Sequence, residues 1–124
     1  MDALPIQETG DVEYASQSDG VMHACGHDGH MAMLLGVAKV LSEQSDAING
    51  TVKFIFQPAE EGYGCARYMI EDGVLNGVDE IYGAHLWNYQ PHGTIGVKPG
   101  PVMAAADLFT ITIKGKGGHG ATPH

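Results

Sequence analysis

The run Val21-Met22-His23-Ala24-Cys25-Gly26-His27-Asp28-Gly29-His30 constrains this 124-residue chain more than any other stretch. A thiol, three imidazoles and a carboxylate fall within eight positions, immediately ahead of a helical pattern. Met31, Leu34, Leu35, Ala38 and Leu41 recur at three- and four-residue spacings, which predicts a helix from about His27 to Glu43. Asn49-Gly50 is a turn signal that closes the segment. Eighteen glycines, about twice ordinary usage and without a collagen-like period, add many tight turns or close backbone approaches. A first turn this rich in metal-ligating atoms either stays solvated or gathers a partner, since bare polar burial is costly.

Elsewhere the pattern alternates. Residues 1–24 read as loop. Thr51 to Phe56 is a β-branched and aromatic run, a strand buried on both faces that Pro58 ends. A second helix is expected from about Tyr63 to Asp72, with Gly73 as its stop. Glu80 to Leu86 reads as another short strand. This order predicts an α/β fold with a central sheet, parallel or mixed. After residue 93 the texture changes: Gly93 to Val97 suggests a short strand, and Asp107 to Lys114 alternates apolar and polar side chains, as a half-solvated strand does. A boundary near 104–106 therefore separates residues 1–105 from a second region, 106–124. No internal repeat or low-complexity tract is present.

Charge narrows the partners. Fifteen acids oppose six bases, and residues 1–62 alone hold ten acids and two bases. That balance disfavours nucleic acid, whose phosphates need a basic footprint. No apolar run approaches a membrane span, and the N-terminus lacks a signal-peptide pattern. Two cysteines are too few for a disulfide scaffold, so free thiols and a cytoplasmic location are expected.

The acidity and the clustered histidines point to cations. A thiolate and an imidazole two residues apart can converge on one borderline-soft metal, with Asp28 or a carbonyl fixing the tautomer. Neither Cys-x-x-Cys nor His-x3-His spacing is present, so a zinc ribbon is disfavoured. A polar loop around a buried cysteine, or Cys25 as a nucleophile activated by histidine, are the competing readings. In Phe56-Gln57-Pro58-Ala59-Glu60-Glu61-Gly62, two carboxylates follow a strand at the edge where α/β proteins bind ligands. In an extended segment they would point opposite ways, one to a metal and one to a water. The alternative is a solvated surface pair. Tyr82-Gly83-Ala84-His85-Leu86-Trp87 ends another strand with one imidazole, either a core histidine or a ligand at the same edge. Lys114 to Ala121 is a Gly-rich turn holding His119, without phosphate-loop spacing. His92 reads as surface.

These motifs together carry a resemblance. Met1 to Glu8, H-A-C-G-H-D-G-H at 23–30, F-Q-P-A-E-E-G at 56–62, G-A-H-L-W at 83–87 and G-K-G-G-H-G-A-T-P-H at 115–124 resemble the co-catalytic metallopeptidase-like amidohydrolases, in order and along essentially the whole chain. That family includes hippurate hydrolase, N-acyl-amino-acid amidohydrolase and plant auxin-conjugate hydrolase. The resemblance implies a partial catalytic domain followed by the first strand of a smaller α+β lid domain, through which a homodimer could form. It implies two divalent ions (Zn, Mn, Co or Ni) and hydrolysis of N-acyl amino acids by an activated water. Cys25 would bridge the metals, His27 and His85 would hold one, and Glu61 the other. Glu60 would be the general base, His119 would steady the oxyanion, and Asp2 would stand behind the ligands. A dipeptidase is the nearest alternative. Family members are longer and place a further histidine ligand beyond His124, so an internal third is expected. Such a piece could be a catalytically inactive metal binder holding about one ion firmly.

Overall fold

The computed structural model describes residues 1–62 and 64–122. The expected helix start at Tyr63 and the Pro123-His124 end of the last motif lie outside the described residues. The chain divides into two compact units, Met1–Tyr89 and Gln90–His124. The boundary expected at 104–106 falls inside the second.

In the first unit, α1 spans His27–Glu43, as the apolar spacing predicts. It starts from Gly26, whose left-handed φ of 81° turns the chain sharply into the helix. The Gly26 carbonyl accepts the His30 N–H at 3.0 Å, the first bond of the helix ladder. A short 3₁₀ turn, Ser45–Ala47, follows. The second helix, α2, is shorter than expected, Ala66–Glu71. Its end is a Schellman motif. The Gly73 N–H donates to Ile70 O and the Val74 N–H to Met69 O, both at 2.9 Å, with Gly73 at φ 85°.

Two further ties position the site. Leu4 and Met22 form an isolated antiparallel bridge, Leu4 N–H to Met22 O at 2.9 Å and the reverse bond at 3.1 Å. This bridge holds Asp2 close to the start of α1. The Lys53 ammonium donates to the carbonyls of Val74 at 2.7 Å and Asn76 at 3.2 Å. The strand-like run 51–56 is thereby fastened to the turn that follows α2.

The expected mixed sheet is a point of difference. Among the described residues no β-ladder forms, and 51–56, 80–86, 93–97 and 107–114 run without strand pairing. The physical reason is that a strand is completed by its neighbour's hydrogen bonds, whatever its own side-chain pattern. The chain is 44% apolar, yet no apolar side chain is buried among the described residues. Instead α1 carries apolar residues all round, with Met33, Leu35, Val37 and Val40 exposed. A helix of that kind is suited to enclosure on every side. No helix among the described residues is long and apolar enough to cross a membrane.

The second unit, taken by itself, is held by turns. Thr94 donates to Pro91 O through both its N–H (3.2 Å) and its hydroxyl (2.7 Å). His119 and Thr122 form an isolated bridge.

Candidate metal centre

The one buried polar side chain among the described residues is His27, 4% exposed, at the first position of α1. Its Nδ1 faces Asp2, 3.1 Å from the main-chain carbonyl and 3.4 Å from Oδ1. An imidazole nitrogen beside two acceptors carries the proton, which leaves Nε2 with its lone pair. Around that Nε2 lie Glu60 Oε2 at 3.7 Å and Glu61 Oε1 at 4.0 Å. Cys25, two residues upstream, brings its Sγ to 3.7 Å from His85 Nε2. Two groupings of potential ligand atoms result, Cys25–His27–His85 and His27–Glu60–Glu61, each with its atoms within 4.8 Å of one another.

Local backbone chemistry explains the convergence of the carboxylates. The extended geometry expected at Glu60-Glu61 is replaced by a turn, so the two side chains do not point opposite ways. Ala59 adopts φ 48°, a left-handed conformation unusual for a residue with a Cβ. The Gly62 N–H then folds back to Glu60 O at 2.9 Å, and the Cys65 N–H reaches Ala59 O at 3.4 Å. The Glu61 N–H donates to Asp2 Oδ2 at 2.8 Å, tying the turn to the N-terminal segment. Asp2 therefore serves both the histidine and the glutamate turn.

The electrostatics describe a site short of positive charge. Burial pushes the Cys25 thiol above its ordinary pKa, and the Glu61 carboxylate it faces, then Glu60 and Asp2, push it further. For Asp2, burial works upward but is outweighed by the amides of Glu61, Asp2 itself and Glu60, and by His27, so its carboxyl is held below the usual value. Asp2 Oδ1 is nevertheless buried without a hydrogen-bond partner. His30 is lowered, first by burial and then by His85 and His27. Among the described residues no lysine or arginine pairs with Glu60 or Glu61. Arg67, the basic residue nearest in sequence, lies over Tyr68, its Cζ 4.5 Å from the ring centroid. A thiol, imidazoles and carboxylates converging without a balancing cation fit a divalent metal.

The structure thus brings Cys25, His27, His85, Glu60 and Glu61 together. His119 belongs to the second unit, where its Nδ1 accepts the Ala121 N–H at 3.2 Å. His30 was given no role from sequence. The available signal was its position three residues after His27, which puts both rings on one helical face. Their centroids are 5.4 Å apart.

The family description "Peptidase family M20/M25/M40" matches residues 1–123. An N-acyl-L-amino acid amidohydrolase of Geobacillus stearothermophilus is 58% identical over all of this chain and 34% of its own length. Thermostable carboxypeptidase 2 of Saccharolobus solfataricus is 55% identical, over all of this chain and 32% of its own. The crystal structure of the Bacillus subtilis YXEP protein, described as a dinuclear metal-binding peptidase of the M20 family, superposes with a TM-score of 0.76 at 54% identity. It covers 81% of this chain and 28% of that one. The fold is of the metallopeptidase type. The chain belongs to peptidase family M20/M25/M40, and it spans about a third of the length of the curated relatives it matches.

Proposed function

We propose that this site serves metal-dependent hydrolysis of the amide bond of N-acyl amino acids, releasing a carboxylate and a free amino acid. The observation that carries the reading is the convergence of Cys25, His85, Glu60 and Glu61 around His27, whose Nε2 is left free by Asp2. Cys25, His27 and His85 would hold one divalent ion, and Glu61 a second that Cys25 also touches. Bound there, the two ions would polarise the amide carbonyl and acidify the attacking water. Glu60 takes the water's proton on its carboxylate and returns it to the departing amine nitrogen, acting first as base and then as acid. His119 donates a hydrogen bond to the developing oxyanion. Asp2 holds His27 in the tautomer that presents Nε2 inward.

Residues 1–105 form the metal-binding part in this reading, and 106–124 begin a lid domain through which two subunits pair. The substrate is a small acylated amino acid handled in the cytoplasm. A second reading, removal of a C-terminal residue from a peptide, is favoured by the carboxypeptidase relative. Both reactions cleave an acyl group from an amino-acid nitrogen, so they differ in the acyl side alone.

The test is an assay of the full-length protein, reconstituted with Zn, Mn, Co or Ni, for free amine release from N-acetyl and N-benzoyl amino acids and from dipeptides. Hydrolysis of the acyl amino acids that a chelator abolishes is expected. Turnover that survives complete chelation would overturn the reading and favour a thiol hydrolase.

A further inference from the structure

We propose that His30 is a positioning residue, whose Nε2 accepts the Leu86 N–H and so fixes the His85 segment against the metal-binding turn of α1. The proposal deepens the metal-site reading above and rests on it.

Leu86 is the hub of the arrangement. Its N–H donates to His30 Nε2 at 2.9 Å. Its carbonyl faces Nδ1 of the preceding residue, His85. With Nδ1 committed there, His85 presents Nε2 toward Cys25 Sγ, 3.7 Å away. The same backbone unit is thus held by one histidine and holds another. The His30 and His85 rings meet edge-on, with centroids 4.4 Å apart and planes at 68°.

The side chain of Leu86 is seated by two glycines of the same motif. A Cβ on Gly29 would come 2.4 Å from Leu86 Cδ1, and one on Gly26 would come 3.4 Å from Leu86 Cβ. The 26–30 segment therefore offers a notch for the leucine and an acceptor for its amide, one turn apart. His30 cannot use Nε2 as a metal ligand while that lone pair accepts an N–H. Its part is to set the distance between His85 and the Cys25–His27 pair. Outer-shell contacts of this kind orient the ligands and are worth about 10- to 100-fold in metal affinity.

Two substitutions separate acceptor from bulk. His30→Gln keeps an oxygen acceptor within reach of the Leu86 amide, while His30→Phe keeps a ring against His85 and loses the acceptor. The full chain is titrated with Co2+ alone, reading the thiolate-to-cobalt absorption and the visible bands that report ligand geometry. Amide exchange of Leu86 is measured on the same chains without metal. H30F is expected to weaken the first Co2+ by about 10- to 100-fold with altered visible bands, and H30Q to stay within about threefold of the unsubstituted chain. Leu86 exchange should quicken in H30F and hold in H30Q. Wild-type Co2+ affinity and Leu86 protection in H30F would overturn the proposal, as would H30Q falling as far as H30F. If the unsubstituted chain binds no Co2+, the metal reading fails, and the exchange comparison alone then upholds or overturns the contact.

Discussion

The segment around α1's first turn and the run 93–114 are made from equally patterned sequence, yet they reach different ends. In the first, hydrogen bonds of 2.8 to 3.1 Å join Asp2 to His27 and to Glu61, and His30 to Leu86, and His27 is 4% exposed. In the second, Ile95, Val97, Leu108 and Ile113 are 89% exposed or more, with no ladder among the described residues. Polar contacts with defined geometry are completed by a few specific atoms. An alternating strand is completed only by another strand. The chemistry of this chain is thus completed by a few specific atoms, whereas its strand-patterned runs need whole neighbouring segments.

Substitutions should respect that division. The largest effect is expected at Glu60. In the full-length protein, Glu60→Gln should lose turnover by about 10²-fold or more while metal content stays unchanged, which steady-state assays and metal analysis would check. Near-normal turnover would remove Glu60 as the base. Asp2→Asn keeps an acceptor for the Glu61 amide but drops the charge beside His27 Nδ1. A loss of metal affinity of about tenfold is expected, read by chelator competition. Unchanged affinity would mean that the main-chain carbonyl of Asp2 alone orients the ring.

Smaller effects concern the scaffold. Gly73→Ala forces a Cβ into a left-handed residue with Asn76 Nδ2 2.6 Å away. The cost should be about 1–2 kcal/mol, seen as faster amide exchange at Val74. Smallest of all, Ile113→Ser should change the chain's stability by about 0.5 kcal/mol or less in denaturant titration. A large loss there would mean that the second unit buries this residue in solution, and the contrast between the regions would collapse.

What could be read from sequence follows the same line. Helix α1 was legible to the residue because its signal, three- and four-residue apolar spacing, is local. The Gly73 stop was legible for the same reason. The strand patterns at 51–56 and 80–86 are legible too, but no ladder joins them among the described residues, because a strand's side-chain pattern does not supply the neighbour that completes it. The ligand types at Cys25, His27, His85, Glu60 and Glu61 stood out by chemistry and by resemblance. The turn that gathers the two carboxylates did not. Glu60 and Glu61 turn the same way because Ala59 takes a left-handed conformation that an alanine does not advertise. The role of His30 is not legible, because its partner is a backbone amide, which carries no residue-type signal.

The metal site itself is most directly tested by calorimetric titration of the chain with Zn2+, alongside Cys25→Ala. Cys25, His27 and His85 offer three ligand atoms within 4.8 Å of one another for one ion, while Glu61 and the shared Cys25 are the ligands proposed for the second. One ion bound firmly is therefore expected, with affinity lower on the order of 10²-fold in Cys25→Ala. No firm binding, or equal affinity in the two chains, would contradict the assignment of this cluster as a metal centre.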